Sequence, residues 1–265
     1  MTAPLFHLPP GRLDTAEAGV CLVLDGAEGH HAATVMRLGP GEPVQLSDTR
    51  SRRADGVVVE VGSGQLQVQI LEVFTEEPPQ PRLVLVQALA KDRRDLQAVE
   101  SATELGVDAV IPWQAERSVA RWKPGREAKK HAEWVNTVTT AAKQTRRTAI
   151  PEVRPLHTTA QYAAAHRNEA RVGVVVLHEA EEVSLRSVLD EFGVLAEPGA
   201  PTGELPVEEL HLVVGPEGGI SDQELQRLTE ICARTARLGT HVLRSSSAGP
   251  AAIAGTQLLL GRWDW

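Results

Sequence analysis

The sequence predicts an α/β protein with a parallel sheet, preceded by a small β-rich domain. Three observations carry this prediction. From residue 82 onward, short apolar runs alternate with stretches of helical periodicity, the pattern of a parallel sheet covered on both faces. Within it, Leu212-Val213-Val214-Gly215-Pro216-Glu217-Gly218-Gly219-Ile220-Ser221 reads as buried strand, glycine turn and helix start, the local geometry with which α/β proteins hold small ligands. Residues 1–74, in contrast, hold short strands separated by Gly, Ser and Asp turns at the spacing of a small barrel.

Taken in order, Val20–Leu24 reads as a strand and Glu28–Met36 as a short helix. Val44–Asp48, Gly56–Val61 and Gln65–Ile70 are strands, the last two joined by a hairpin turn at Gly62-Ser63-Gly64. Thr75-Glu76-Glu77-Pro78-Pro79-Gln80-Pro81 is proline-rich, charged and aperiodic, so it is the linker between domains 1–74 and 82–265. Leu83–Val86 is a buried strand. Asp92 is placed to cap a helix carrying Leu96, Val99, Thr103 and Leu105, which Gly106 ends. Ala109–Ile111 is a strand, and a long helix covers about 126–145. Val172–Leu177 and Leu210–Val214 are strands. Ser221 and Glu224 have capping-box spacing and open a helix reaching about Ala233. Ala236-Arg237-Leu238 is a brief extended piece, and a last helix runs from about Ala248 to Leu260. Residues 195–206, rich in Gly and Pro, are expected to form a mobile loop.

Composition sets the broad class. Hydrophobic residues make up 42% of 265, enough for a sizeable core. Cys21 and Cys232 are too few for a disulfide framework and read as buried small hydrophobes. No secretory signal and no membrane-spanning run is visible, so the expected location is the cytoplasm. The net charge of −8 is unevenly spread: residues 1–81 carry net −6, 82–154 net +5 and 155–265 net −7. Within 117–147 there are nine basic residues against two acidic. Such a band can steer a polyanion to one face, although a merely solvated helix face has the same composition.

Several chemistries are excluded. No Gly-Lys-Ser/Thr follows the glycine turn, so it is not a nucleotide-triphosphate loop, and it lacks the spacing of a dinucleotide site. The nine histidines show no metal-ligand spacing, so no metal is expected. Ser245-Ser246-Ser247 has no base nearby in sequence and reads as the cap of the last helix. A second glycine turn follows the first, at Arg237-Leu238-Gly239-Thr240-His241-Val242-Leu243-Arg244. The two turns together suggest a pocket with two walls.

These residues carry a resemblance. Leu212 to Gly219, followed by Leu238-Gly239 and Val242-Leu243-Arg244, resemble the RsmE family. The same family is matched by His31 to Leu38 with Pro40-Gly41, by Gln87 to Lys91, by Glu104 to Val107, by Glu116-Arg117-Ser118, and by Gln144 with Arg147 and Pro151-Glu152. The resemblance implies a SPOUT-superfamily methyltransferase that modifies N3 of a uridine in 16S ribosomal RNA with S-adenosylmethionine. It also implies a PUA-like RNA-binding β-barrel at the N-terminus, a C-terminal trefoil knot and a homodimer through that knot. Its partner would be 16S RNA or the small subunit, with no membrane and no metal.

By the same resemblance, the cofactor is held by Leu177, His178 and Glu179, by Gly215, Pro216, Glu217, Gly218 and Gly219, and by Leu238, Gly239, Leu243, Arg244 and Ser246. RNA contact is assigned to His31, Arg37, Lys91, Arg94, Arg117, Gln144, Arg146 and Arg147. The chain departs from the family at Ser245-Ser246-Ser247, where Thr-Glu-Thr is common, so an acid is missing. Ser101 and Arg94 stand where Lys is usual, and Gly249-Pro250 is atypical. Because uracil N3 carries a proton, its methylation needs a base or a cation to stabilise the uracil anion. Arg244 is the expected cation; the base is not identified, Glu217 being the one candidate. Alternative activities are methylation of ribose 2′-OH or transfer RNA by another SPOUT enzyme, or a non-catalytic RNA-binding assembly role.

Overall fold

The structure is a computed structural model and describes residues 3–195 and 206–263. The loop expected at 195–206 therefore lies almost wholly outside the described residues. The chain divides into two compact units, Met1–Pro78 with Ala142–Ile150, and Pro79–Ala141 with Pro151–Trp265.

The first unit holds β1 (Leu5–His7), β2 (Cys21–Leu24), α1 (Gly26–His30), β3 (Pro43–Ser47), β4 (Arg52–Gly62) and β5 (Gln65–Thr75). Its sheet has the order β1-β3-β4-β5-β2, antiparallel except for β1 with β3. No ladder joins β1 to β2 among the described residues, so the expected barrel is an open one. Alternating residues of the strands, among them Leu46, Leu66, Val68 and Ile70, are fully buried beside Leu13 and Leu24. The helix expected at Glu28–Met36 is present, but from His31 to Val35 it widens into a π-helix. β1 has only three residues and no alternation, so its sequence did not mark it.

Residues 142–150 belong to this unit through long-range bonds. The Ser47 hydroxyl donates to the Thr148 carbonyl at 2.6 Å, and the Thr148 hydroxyl donates to Glu76 at 2.7 Å. Burial lowers the His7 pKa, so the ring is neutral and its Nε2–H donates to the Arg147 carbonyl at 3.2 Å.

The second unit is built on β6 (Arg82–Ala88), α2 (Arg94–Glu104), β7 (Ala109–Gln114), α3 (Glu127–Gln144, its last turn counted with the first unit), β8 (Glu152–Val153) and β9 (His157–Thr158). It continues with α4 (Thr159–His166), β10 (Val172–Leu177), α5 (Leu185–Glu191), β11 (Glu209–Val214), α6 (Asp222–Thr229), β12 (Arg234–Ala236) and α7 (Ser245–Leu259). The sheet runs β12-β10-β11-β6-β7-β8, with β9 also on β7, and every pair is parallel. All strands therefore end at one edge.

Four local expectations are corrected. Asp92 does not cap α2: it adopts φ 58°, the next residue Arg93 also takes a left-handed conformation, and Arg93 is the N-cap. α7 begins three residues earlier than expected, so Ser245, Ser246 and Ser247 form its first turn, and Arg244 occupies the cap without a side-chain bond. Pro250 consequently lies inside the helix rather than in its first turn. Cys21 and Cys232 are exposed rather than buried, one on the edge strand β2 and the other in the turn after α6, at φ 62°.

A polar cluster closes the opposite edge of the sheet. Glu209 opens β11 and receives hydrogen bonds from Arg154 and from His211 Nε2, the latter at 3.0 Å. Facing a carboxylate, Nε2 carries the proton, so Nδ1 accepts from the Tyr162 hydroxyl at 2.7 Å. Burial disfavours ionisation of Glu209, but the His211 and Arg154 bonds outweigh it and hold the carboxyl far below its usual range. Burial lowers His211, and burial above all lowers His166 to about 4, where a proton on His166 would also face Arg154. The folded state thus keeps both rings neutral, whereas the unfolded chain protonates them near 6.5. Their contribution to stability is complete above pH 6.5 and declines as pH falls, for His166 toward about 4. The Glu209 contribution is lost at still lower pH, below the ordinary carboxylate value. The melting temperature is expected to drop between pH 7 and pH 5, and His166→Leu to flatten that slope. A flat profile for the wild type would contradict the assignment.

Candidate active site

At the edge where the strands end, three loops enclose a cavity of about 350 Å³, within the range of small-molecule sites. The wall after β10 is Leu177, His178 and Glu179. The wall after β11 runs from Val214 to Glu217 and continues with Gly219 and Ile220. The third follows β12, from Arg237 through Ser245, with Ala248 behind it. The two glycine turns do face each other, and the β10 loop supplies a third side. The first and third walls are tied by backbone bonds: His178 N–H donates to the Ala236 carbonyl at 3.0 Å, and Arg237 N–H to the Val183 carbonyl at 2.7 Å.

The β11 turn is shaped by what its glycines exclude. A Cβ on Gly215 would lie 2.7 Å from Ile220 Cγ1, and Gly219 has φ +74°, which other residues rarely adopt. The Gly219 N–H closes the turn on the Pro216 carbonyl at 2.9 Å. Ser221 and Glu224 then form the expected capping box. The buried Glu224 carboxylate also accepts from Glu116 N–H at 2.8 Å and from the Thr159 hydroxyl. It thereby fixes the start of α6 to α4 and to the chain after β7.

Of the thirteen residues expected to hold the cofactor, the cavity is lined by all but Gly218 and Ser246. Gly218 turns instead toward Arg117, whose guanidinium donates to its carbonyl at 3.4 Å. Ser246 follows Ser245 on the first turn of α7, and Ser245 is the serine that reaches the cavity. The Ser245 hydroxyl is buried and has no hydrogen-bond partner among the described residues. Nothing in the local pattern marks Ser245 as a cavity residue beyond its place after Arg244. Arg244 lines the cavity, is exposed, and meets no carboxylate among the described residues. Arg94, expected to touch RNA, also lines the cavity and pairs with Glu217 at 3.4 Å and Asp92 at 3.9 Å.

The remaining RNA residues fall into two sets. Lys91, Arg94 and Arg117 belong to the second unit, while His31, Arg37, Gln144, Arg146 and Arg147 belong to the first. In that first set His31 packs edge-on to Phe6, and Arg37 and Arg146 hold positive φ values of 57° and 56°. Among the described residues no group of three or more His, Cys, Asp or Glu side chains is placed to hold a metal ion, and no helix is long and apolar enough to cross a membrane.

The sequence matches two family models, an RNA methyltransferase domain over residues 76–257 and an RNA methyltransferase PUA domain over residues 24–71. It is 40% identical to "Ribosomal RNA small subunit methyltransferase E" of Mycobacterium bovis, over 100% of this chain and 95% of that protein. It is 28% identical to the protein of the same name from Bacillus subtilis, over 90% and 91% of the two chains. A crystal structure of ribosomal RNA small subunit methyltransferase E from Neisseria gonorrhoeae, bound to S-adenosyl methionine, is similar in fold. Its TM-score is 0.78 at 25% identity, covering 97% of this chain and 98% of that one.

Proposed function

The chain belongs to the ribosomal RNA small subunit methyltransferase E family, and from that premise we propose that it methylates N3 of a uridine in 16S ribosomal RNA, with S-adenosylmethionine as donor. The observation that carries this reading is the cavity formed by three loops where β10, β11 and β12 end. The residues present fit such a cofactor. Backbone groups of the two glycine turns are available to its polar atoms, Leu177, Val214, Ile220 and Leu238 offer apolar surface, and the unpartnered Ser245 hydroxyl offers a further hydrogen bond. When bound, S-adenosylmethionine supplies the electrophilic methyl group.

The chain's own residues have to deal with the proton and charge of the uracil. Arg244, which meets no carboxylate among the described residues at the cavity wall, stabilises the negative charge that develops when N3 loses its proton. Arg94 holds Glu217 against the same cavity, which keeps that carboxylate oriented. The first unit, which includes the PUA-domain match, supplies the second RNA-contact set. Neutralising Arg146 and Arg147 together should lower the salt slope of RNA binding by about 1–2. An unchanged slope would remove both from the RNA contacts.

We also assign to the second unit the knotted threading of the SPOUT superfamily and to the protein a homodimer, for which sedimentation in solution is the check. The cytoplasm is the location that a ribosomal RNA substrate requires. The decisive experiment is mass spectrometry of 16S RNA from a deletion strain, before and after the protein is supplied. Restoration of a single methylated uridine supports the reading. Cofactor binding with no methyl gain would replace it with a non-catalytic assembly role.

A further inference from the structure

Positive charge in this acidic protein gathers at one place that the site above does not use. Between Arg117 and Lys130 there are six basic residues and one acid, Glu127, and all six basic residues are exposed. The segment starts behind the β11 turn, where Arg117 donates to the carbonyl of Gly218, the neighbour of the cavity-lining Glu217 and Gly219, at 3.4 Å. Arg121 is then fixed by a bond to the Glu116 carbonyl at 2.9 Å. Trp122 packs edge-on against Trp134 at 6.2 Å and anchors the loop to α3. The segment ends in the first turn of α3, where Lys129 and Lys130 lie.

A distant part of the chain joins the same surface. The left-handed pair Asp92-Arg93 turns the backbone just before α2, and Arg93 is exposed. Glu133 pairs with Lys130 at 2.8 Å; that bond first, against the opposing effect of burial, and then the charges of Lys130, Arg93 and Lys129 hold its carboxyl below the usual range. Cations at the start of a helix oppose its dipole, so this crowding does not serve the stability of α3. Nor does it serve solubility, which an overall charge of −8 already supplies. Lys123 and Arg126 have no side-chain partner among the described residues.

We propose that the surface carrying Arg93, Arg121, Lys123, Arg126, Lys129 and Lys130 is a phosphate track for the substrate RNA, leading away from the cavity. It rests on the reading of the protein as a ribosomal RNA methyltransferase. The like-charged stretch lies beside a site that takes a base from a polyanion, and the Lys123 ammonium and Arg126 guanidinium, without a side-chain partner among the described residues, match phosphate oxygens.

The test compares two triple variants of the full chain, both losing three positive charges. One is Lys123→Gln/Arg126→Gln/Lys129→Gln. The other is Arg167→Gln/Arg186→Gln/Arg227→Gln, exposed residues elsewhere on the same unit. Binding of transcribed 16S RNA is measured between about 50 and 200 mM salt. The track variant is expected to lose about 2–3 from the salt slope and roughly 100-fold in affinity near 0.1 M salt, with S-adenosylmethionine affinity and melting temperature unchanged. The control is expected to stay near wild type. An unchanged slope in the track variant, or an equal loss in the control, overturns the track while leaving the methyltransferase reading intact. A wild-type protein that binds this RNA without salt dependence and adds no methyl group overturns both.

Discussion

Truncating Arg244 to alanine is expected to reduce methylation turnover by about 10²–10³, the usual effect of deleting a preorganised charge stabiliser. The argument rests on three features. Arg244 is the N-cap of α7, so its backbone is fixed by the Ser247 and Ala248 N–H groups, which donate to its carbonyl at 2.8 and 2.9 Å. Its side chain lines the cavity. No carboxylate among the described residues neutralises it, so its charge is available to an anionic uracil. Arg244→Lys should recover part of the rate, because the charge survives but the planar fork does not. The KM for RNA should move little compared with kcat, since the uracil anion exists only on the reaction path. Full turnover by the alanine variant at saturating RNA would end this assignment.

Gly215→Ala is expected to weaken S-adenosylmethionine binding by about 10–100-fold, equivalent to roughly 1–3 kcal/mol of overpacking. The new methyl group would lie 2.7 Å from Ile220 Cγ1. Ile220 is 5% exposed and packs into the core of the second unit, so it has little room to retreat. The turn must then open, and its opening disturbs the wall formed by residues 215–219. Adding Ile220→Ala removes the clashing atom and should return part of the affinity, even though alanine alone at 220 leaves a cavity. Calorimetric titration of the four proteins completes the cycle. If the two substitutions simply add, the clash is not the cause.

How far the sequence reached depended on the range of the forces involved. The Ser221–Glu224 capping box spans a single helical turn, and it was legible because its two partners are three residues apart. The glycine turns were legible for the same reason. Their meeting in one cavity required the parallel pairing of β10 with both β11 and β12, which the strand-helix alternation implied. Asp92 misled because a good capping residue gives no sign that its own backbone will turn left-handed. The serine triplet misled because Arg244 takes the extended cap conformation without a side-chain bond, a role no propensity assigns to arginine. Nothing local could have attached residues 142–150 to the first unit. The bond from Ser47 to Thr148 spans 101 positions and the contact of His7 with Arg147 spans 140.

The all-parallel sheet has an evolutionary consequence. Its strands place every cavity loop at one edge, and they put the Tyr162–His211–Glu209–Arg154 network at the other. Replacement of a cavity-loop residue such as Leu238 therefore need not disturb the buried ionic cluster, and the cluster can change without touching the loops. Selection on chemistry and selection on persistence of the fold act on separate rows of the same strands.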